Sequence, residues 1–399
     1  MGIFSKPQEK DELMAVFNID SSSVGGALFL ARSSGIPKII FSETVSLPIK
    51  EKVDAESFLS GTIQALESVA GRIYGTGLGA PSRIFCVLSS PWYASQTRTI
   101  NYKKNTPFIF TEKLADELIQ KEIKLFGEEH LLKYSDGNNA VRPIELKNIK
   151  TILNGYESSD PIGQKTKELE MIIFISMSGE QMLSRIEDTI SKYFKFETIK
   201  FSSFAMTSFT VVRDMYKKEE NFLLVDIGGE VTEIFMVKKN VLRESISYPL
   251  GRNFLARGIS AKLGCTIDEA NSLLSLFKDS HAEASVAKKL ELIIKDLKTE
   301  WLKNFQESLA HLSKDISIPA VIFIVVDKEV AELFRDIIKS EQFSQYTLAE
   351  SKFEITVMDT KLLHNLASFG EEAARDAFLI MDSVYITRYL VYPAMAGRA

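Results

Sequence analysis

The sequence is poor in the residues that build metal centres and disulfide frameworks. Its two cysteines, Cys86 and Cys265, stand far apart with no C-x-x-C pair, which leaves no zinc or redox motif and fits a reducing cytoplasm. Four histidines, His130, His281, His311 and His364, show no metal-ligand spacing. No apolar run approaches the ~18 residues that a membrane-spanning helix needs. Residues 1–12 are too short and too charged for a secretion signal. Excess positive charge is lacking too: 48 Lys and Arg against 53 Asp and Glu leave a net charge of −5, so no nucleic-acid face is expected. What remains is a composition of the soluble globular kind, 45% hydrophobic over 399 residues, enough for two lobes. A cytoplasmic protein is expected.

The organising stretch is Phe222 to Val237. Phe222–Val225 is an apolar run of buried-strand type, Asp226–Glu230 carries turn chemistry, and Val231–Val237 resumes a β-branched and aromatic pattern. This predicts a β-hairpin. Gly228 and Gly229 lack a Cβ, so the backbone there can bring its N–H groups close to an anion, and Asp226 aims a carboxylate at the same spot. Together they could cradle a phosphate with its Mg²⁺, or form an ordinary hairpin turn. Val16 to Leu30 repeats the layout: placing Asn18 on Asp226 pairs Ile19 with Ile227, Asp20 with Gly228 and Ser21 with Gly229. Two such hairpins half a chain apart point to a duplicated α/β domain with a nucleotide between its halves.

That layout resembles the actin, Hsp70 and hexokinase superfamily. Asn18-Ile-Asp-Ser-Ser-Ser-Val24 is similar to the opening of the bacterial FtsA and PilM proteins, and Val225–Ile234 with Tyr248–Phe254 looks like their second phosphate loop and the stretch after it. Leu153–Gly163 with Glu168-Leu-Glu170 is similar to the end of the FtsA inserted subdomain. The resemblance implies duplicated actin-like (ribonuclease H-like) lobes: a flexible leader over 1–13; a first lobe from 14–90, 171–217 and 366–399; an inserted 1C-type (SHS2-like) module over 91–170; a second lobe from 218–256 and 319–365; and a helical 2B-type part over 257–318. It implies ATP and Mg²⁺ held by Asn18, Asp20, Ser21, Ser22 and Ser23 of the first hairpin, by Asp226, Gly228, Gly229, Glu230 and Thr232 of the second, and by Gly251, with Asp226 and Asp20 as metal ligands.

Five departures weaken that implication. The family's Asp is Asn18, and its next Gly is Asp20, a negative charge where phosphates approach. The turn that should lie bare against the adenosine is Val325-Val-Asp-Lys-Glu-Val330, without glycine. Glu269-Ala-Asn-Ser-Leu-Leu274 lacks the family's Ala-Glu-x-x-Lys pattern, though Lys278 lies one turn on, and Phe201–Ala205 offers no group to orient a water. Two readings stay open: a nucleotide-switched ATPase with altered clasps, or a scaffold whose ATPase activity is weak or lost.

Other expectations concern packing and partners. Met171–Met177 reads as a strand returning to the first lobe, followed by a helix with Ser178 as N-cap and Gln181 at N3. The stripe Val286, Leu290, Ile294, Leu297, Trp301, Phe305 and Leu309 reads as core. FtsA-type proteins end in a basic amphipathic helix; here Val384–Val391 alternates like a strand, Pro393 breaks helix, and only Arg388 and Arg398 are basic. Membrane contact is therefore expected through a protein partner, at the inner face of the cell membrane, with the inserted module as the main partner surface.

Overall fold

The computed structural model describes residues 11–133, 140–279, 281–313, 317–339 and 353–393. Most of the leader, the loop Ser135–Asn139 and the last six residues lie outside these, and so do the side chain of His130 and the end of the helix read over 329–341. β1 (Glu12–Ile19) already begins within the segment read as leader. It forms an antiparallel hairpin with β2 (Ser23–Ala31), which pairs with β3 (Lys38–Ser46). Helix α1 (Ala55–Gly75) starts where the Asp54 carboxylate accepts the Ser57 N–H. It leads into β4 (Arg83–Leu88), parallel to β1.

The next segment builds a sheet of its own. β5 (Ala94–Ile109), α2 (Glu112–Lys133), β6 (Val141–Leu153), β7 (Tyr156–Glu157) and β8 (Lys165–Gly179) give a four-stranded sheet in the order β5-β8-β6-β7. This corrects the reading of 171–177 as a strand of the first lobe: β8 pairs along its length with β5 and β6. Both contexts left the same apolar signature because β8 is buried on two faces. Met171, Ile173, Ile175 and Met177 enter a core beneath α2, while Phe174 points the other way into the first-lobe core.

α3 (Glu180–Ser191) follows. Its N-cap is Gly179 without a side-chain bond, not Ser178, whose hydroxyl donates instead to the Trp92 carbonyl at 2.6 Å. β9 (Ile199–Ser203) lies parallel to β4, and the Ser203 side chain caps α4 (Phe204–Met215). Then come β10 (Phe222–Ile227), β11 (Thr232–Lys238), β12 (Val241–Tyr248), α5 (Asn253–Leu263), α6 (Ile267–Lys278), α7 (Ala284–Leu312), β13 (Val321–Val326), α8 (Ala331–Lys339) and β14 (Glu354–Val357). The expected core stripe of α7 is buried, with Val286 at its margin.

The two larger sheets repeat one plan. In the first, β3-β2-β1-β4-β9 runs with two antiparallel and then two parallel pairings; in the second, β12-β11-β10-β13-β14 does the same. The hairpins close at equivalent registers, Ile19 opposite Val24 and Ile227 opposite Thr232, which sets Asn18 on Asp226 and Asp20 on Gly228. The architecture is α/β and duplicated. Helices cover both faces of the first sheet. A Cβ at Gly26 would meet Val69 of α1 at 2.5 Å, whereas its neighbour Gly25 faces Leu379, and adjacent strand residues point to opposite faces.

The C-terminal part completes the first lobe. β15 (Ser368–Ala373), not foreseen, adds a sixth strand parallel to β3. Asp376 caps α9 (Ala377–Tyr385), which continues as a wider-wound turn over Ile386–Val391. The strand reading of Val384–Val391 is thereby corrected. Val384, Tyr385, Ile386 and Thr387 are buried in succession, and a helix wrapped on several sides lacks the polar face that would distinguish it from a strand.

Candidate functional site between the lobes

The duplicated hairpins bring their turns face to face, so most of the residues singled out in the sequence do meet. They meet each other. A Cβ at Gly229 would lie 2.8 Å from the Ser21 carbonyl carbon and oxygen, and one at Gly228 would lie 2.8 Å from Asp20 Oδ1. The two turns are therefore in van der Waals contact, and their missing side chains admit the opposite turn. The Glu230 N–H, a donor that a phosphate would have used, donates to Ser21 Oγ at 3.0 Å.

Asp20 turns back on its own hairpin. Its Oδ2 accepts the Ser22 N–H at 3.0 Å and the Ser22 hydroxyl at 2.5 Å. Ser23 begins β2, its carbonyl accepting the Asp20 N–H. Asn18 is buried but faces elsewhere, donating from Nδ2 to Asp382 Oδ2 at 2.8 Å. Thr232 serves the second lobe: its hydroxyl donates to the Leu250 carbonyl at 2.7 Å. Gly251 lies beneath the second turn, where a Cβ would come within 2.4 Å of both the Gly228 and Gly229 carbonyl oxygens. Gly251→Ala is therefore expected to cost roughly 1–3 kcal/mol. Chemical denaturation measures this, and an unchanged midpoint would contradict the close packing.

Electrostatics repeat the pattern. Asp226 is buried, and burial first, then the charges of Asp20 and Glu233, hold its carboxyl well above the usual range. Its Oδ1 lacks a hydrogen-bond partner among the described residues. Glu233, its cross-strand neighbour, is buried and pushed up to about 7 by desolvation, although the Ser90 hydroxyl at 2.6 Å and the Tyr93 hydroxyl at 2.9 Å donate to it. Among the described residues no group of three or more His, Cys, Asp and Glu is placed to hold a metal. Asp20 lies near enough for its charge to raise the Asp226 carboxyl, while its Oδ2 is engaged by Ser22.

At the turn after β13, which the resemblance assigns to adenosine, side chains form an ion pair instead. Asp327, just past β13, binds Arg252 at 2.6 Å. The Asp20–Ser22 turn and the Asp327–Arg252 pair thus fill the places that the resemblance assigns to phosphate and adenosine, and those residues do not fit a nucleotide in this arrangement.

Sequence reasoning missed several residues at this junction. Arg257, from α5, grips the Glu230 carboxylate with both terminal nitrogens at 2.6 Å and donates from Nε to the Lys50 carbonyl at 2.6 Å. Asn253 adds a bond to Glu230 Oε1 at 2.8 Å. Beside them an open cleft of about 370 Å³ is lined by Leu47, Pro48, Val53, Phe58, Lys50 and Arg257, among others. Elsewhere Glu145 of β6 joins the four-stranded sheet to the first lobe. It accepts from the Ser203 N–H at 3.1 Å, the Ser203 hydroxyl at 2.8 Å and the Tyr385 hydroxyl, and burial raises its carboxyl. An acid inside an alternating strand was the one available signal for Glu145 and Glu233; for Arg257 there was none.

No family model and no curated protein matches the chain. Solved structures do. One is the PilM-PilN type IV pilus biogenesis complex, with 11% identity over 96% of this chain and 98% of that one and a TM-score of 0.57. The fold is that of the actin-like ATPases. Looser matches include the ethanolamine utilization protein EutJ from Carboxydothermus hydrogenoformans (10% identity, 88% and 86% coverage, TM-score 0.42) and MreB 5 of Spiroplasma citri bound to AMPPNP (7% identity, 98% and 100% coverage, TM-score 0.44). Among the described residues no helix is long and apolar enough to cross a membrane.

Proposed function

We propose that this chain is an actin-like cytoplasmic scaffold of the FtsA and PilM kind, which links a division or pilus-type assembly to a membrane complex through protein contacts, with weak or lost ATPase activity. One observation carries this reading: the Asp20–Ser22 turn sits against Gly228 and Gly229, where a phosphate would have to enter. An actin-like fold that fills its phosphate position with its own chain keeps the architecture and dispenses with the chemistry. The partner class is protein, in keeping with the pilus complex among the structural neighbours. The module read over 91–170 is the surface we assign to it, presented at the inner face of the membrane. Its sheet packs against both lobes, through Glu145 to Ser203 and through the Thr97 hydroxyl to the Leu242 carbonyl at 2.7 Å.

Titration calorimetry with Mg-ATP tests the reading, with Asp226→Ala as control. No saturable heat at millimolar nucleotide is expected. Micromolar binding abolished by the substitution would sink the scaffold reading in favour of a nucleotide-switched ATPase of the same family, acting in type IV pilus assembly.

A further inference from the structure

We infer that the two lobes are latched shut by the chain itself, through three sets of contacts, so that closure requires no ligand. This rests on the scaffold reading and adds to it a fixed conformation. The first point is the central one. Ser21 and Ser22 lie on the glycine turn of the second hairpin, and the Glu230 N–H is satisfied by Ser21 Oγ. Asp20, the charge nearest that turn, has its Oδ2 committed to Ser22. The Gly228 N–H is taken by the Val231 carbonyl at 3.0 Å and the Ser22 N–H by Asp20.

The second point lies at the outer mouth of the cleft. Arg257, carried by α5 of the second lobe, donates to the carbonyl of Lys50 in the connection between β3 and α1 of the first. The guanidinium is held in place by a two-pronged ion pair with Glu230, whose own backbone belongs to the first contact. Planar, bidentate pairing fixes direction as well as distance. Asn253 braces the same carboxylate, and Arg257 and Glu230 are both mostly buried. The third point is on the other side of the hairpins, where Ser90 and Tyr93, following β4, donate to Glu233 of β11. One contact would act as a pivot, and two would define an axis about which the lobes could still swing. Here contacts at the turns, at α5 and at β11 act together, beside the apolar core that Phe222, Leu224 and Phe235 share with the first-lobe strands.

The latch is tested by measuring the distance between lobes directly. Nitroxide labels are placed at Gln64→Cys on α1 and Ser272→Cys on α6, both exposed, in a Cys265→Ser background with Cys86 left in place because it is buried. Double electron–electron resonance on the full chain should give one narrow distribution that millimolar Mg-ATP leaves unchanged. In Ser21→Ala/Arg257→Ala the distribution should broaden and shift to longer distances. A broad or two-peaked distribution in the parent, or a double variant as narrow as the parent, would overturn the latch. The parent measurement decides the point even if the double variant fails to fold. Nucleotide binding at unchanged distances would instead overturn the scaffold reading and leave the latch standing. Open lobes without nucleotide binding would overturn the latch alone.

Discussion

Trp301→Ala is expected to destabilise the second lobe by about 3–5 kcal/mol, the usual cost of emptying a large aromatic site in a packed core. The indole is fully buried in α7. It stacks on Phe305 with centroids 5.2 Å apart and contacts Phe334 at 5.2 Å and Tyr248 at 5.9 Å. Its Nε1 also donates to the Leu250 carbonyl at 3.2 Å and to Thr232 Oγ1 at 3.3 Å. The same carbonyl and hydroxyl hold the loop that carries Gly251 under the second hairpin turn. The loss should therefore reach the interlobe contact as well as the core. Urea unfolding followed by hydrogen exchange over β10 and β11 measures it; Trp301→Phe, which keeps most of the apolar volume, should cost distinctly less. A loss below about 1 kcal/mol for the alanine variant would contradict the packing.

Raising the pH from about 4.5 to 7 is expected to withdraw as much as about 3 kcal/mol from the folded, closed state through Glu233 alone. Its carboxyl ionises near 4.5 in an unfolded chain and near 7 when buried. The folded protein therefore holds a proton that the unfolded chain has released, and stability falls with rising pH across that window and levels off above it. Below about 4.5 the contribution is present in full. Asp226, Asp382 and Glu145 are raised as well, chiefly by burial, so they push in the same direction. Glu233→Gln keeps the shape and can still bond Ser90 and Tyr93 while carrying no charge. The stability difference between parent and variant should shift in favour of glutamine as pH climbs to 7. Denaturation midpoints at a series of pH values test this, and parallel curves for the two proteins would refute it.

Much of the fold was legible because it rests on local patterns. β10 and β11 announced themselves through an apolar run, a glycine turn and a β-branched return, and the copy in β1 and β2 revealed the duplication. What failed was the assignment of buried segments to layers. β8 is apolar because it is sandwiched, and nothing in Met171–Met177 says which sheet lies beside it. The segment Val384–Val391 has a strand's alternation by coincidence, since a helix buried on several sides needs no polar stripe. β15, with Gly370 and two glutamates, resembles a loop until β3 offers it an edge. At the candidate site the departures Asn18, Asp20 and Asp327 were visible as wrong residues for a nucleotide. What they do instead depended on Asp382, Ser22 and Arg252, partners that proximity in sequence reveals only for Ser22.

The bond between Asn18 and Asp382 joins residues 364 apart in the chain. With β15 it makes the first lobe a ring whose closing pieces, β15 and α9, are translated only after β14. Among the described residues the second-lobe core is drawn from positions between Leu223 and Phe353, so it can consolidate while the first lobe still lacks α9 and its sixth strand. During synthesis the hairpin translated first, β1 with β2, must wait with one side of its sheet uncovered. The lobe begun second is finished first, and a nascent chain that has emerged as far as residue 360 would present the second-lobe core beside an unfinished first lobe, a natural place for a holding chaperone to act.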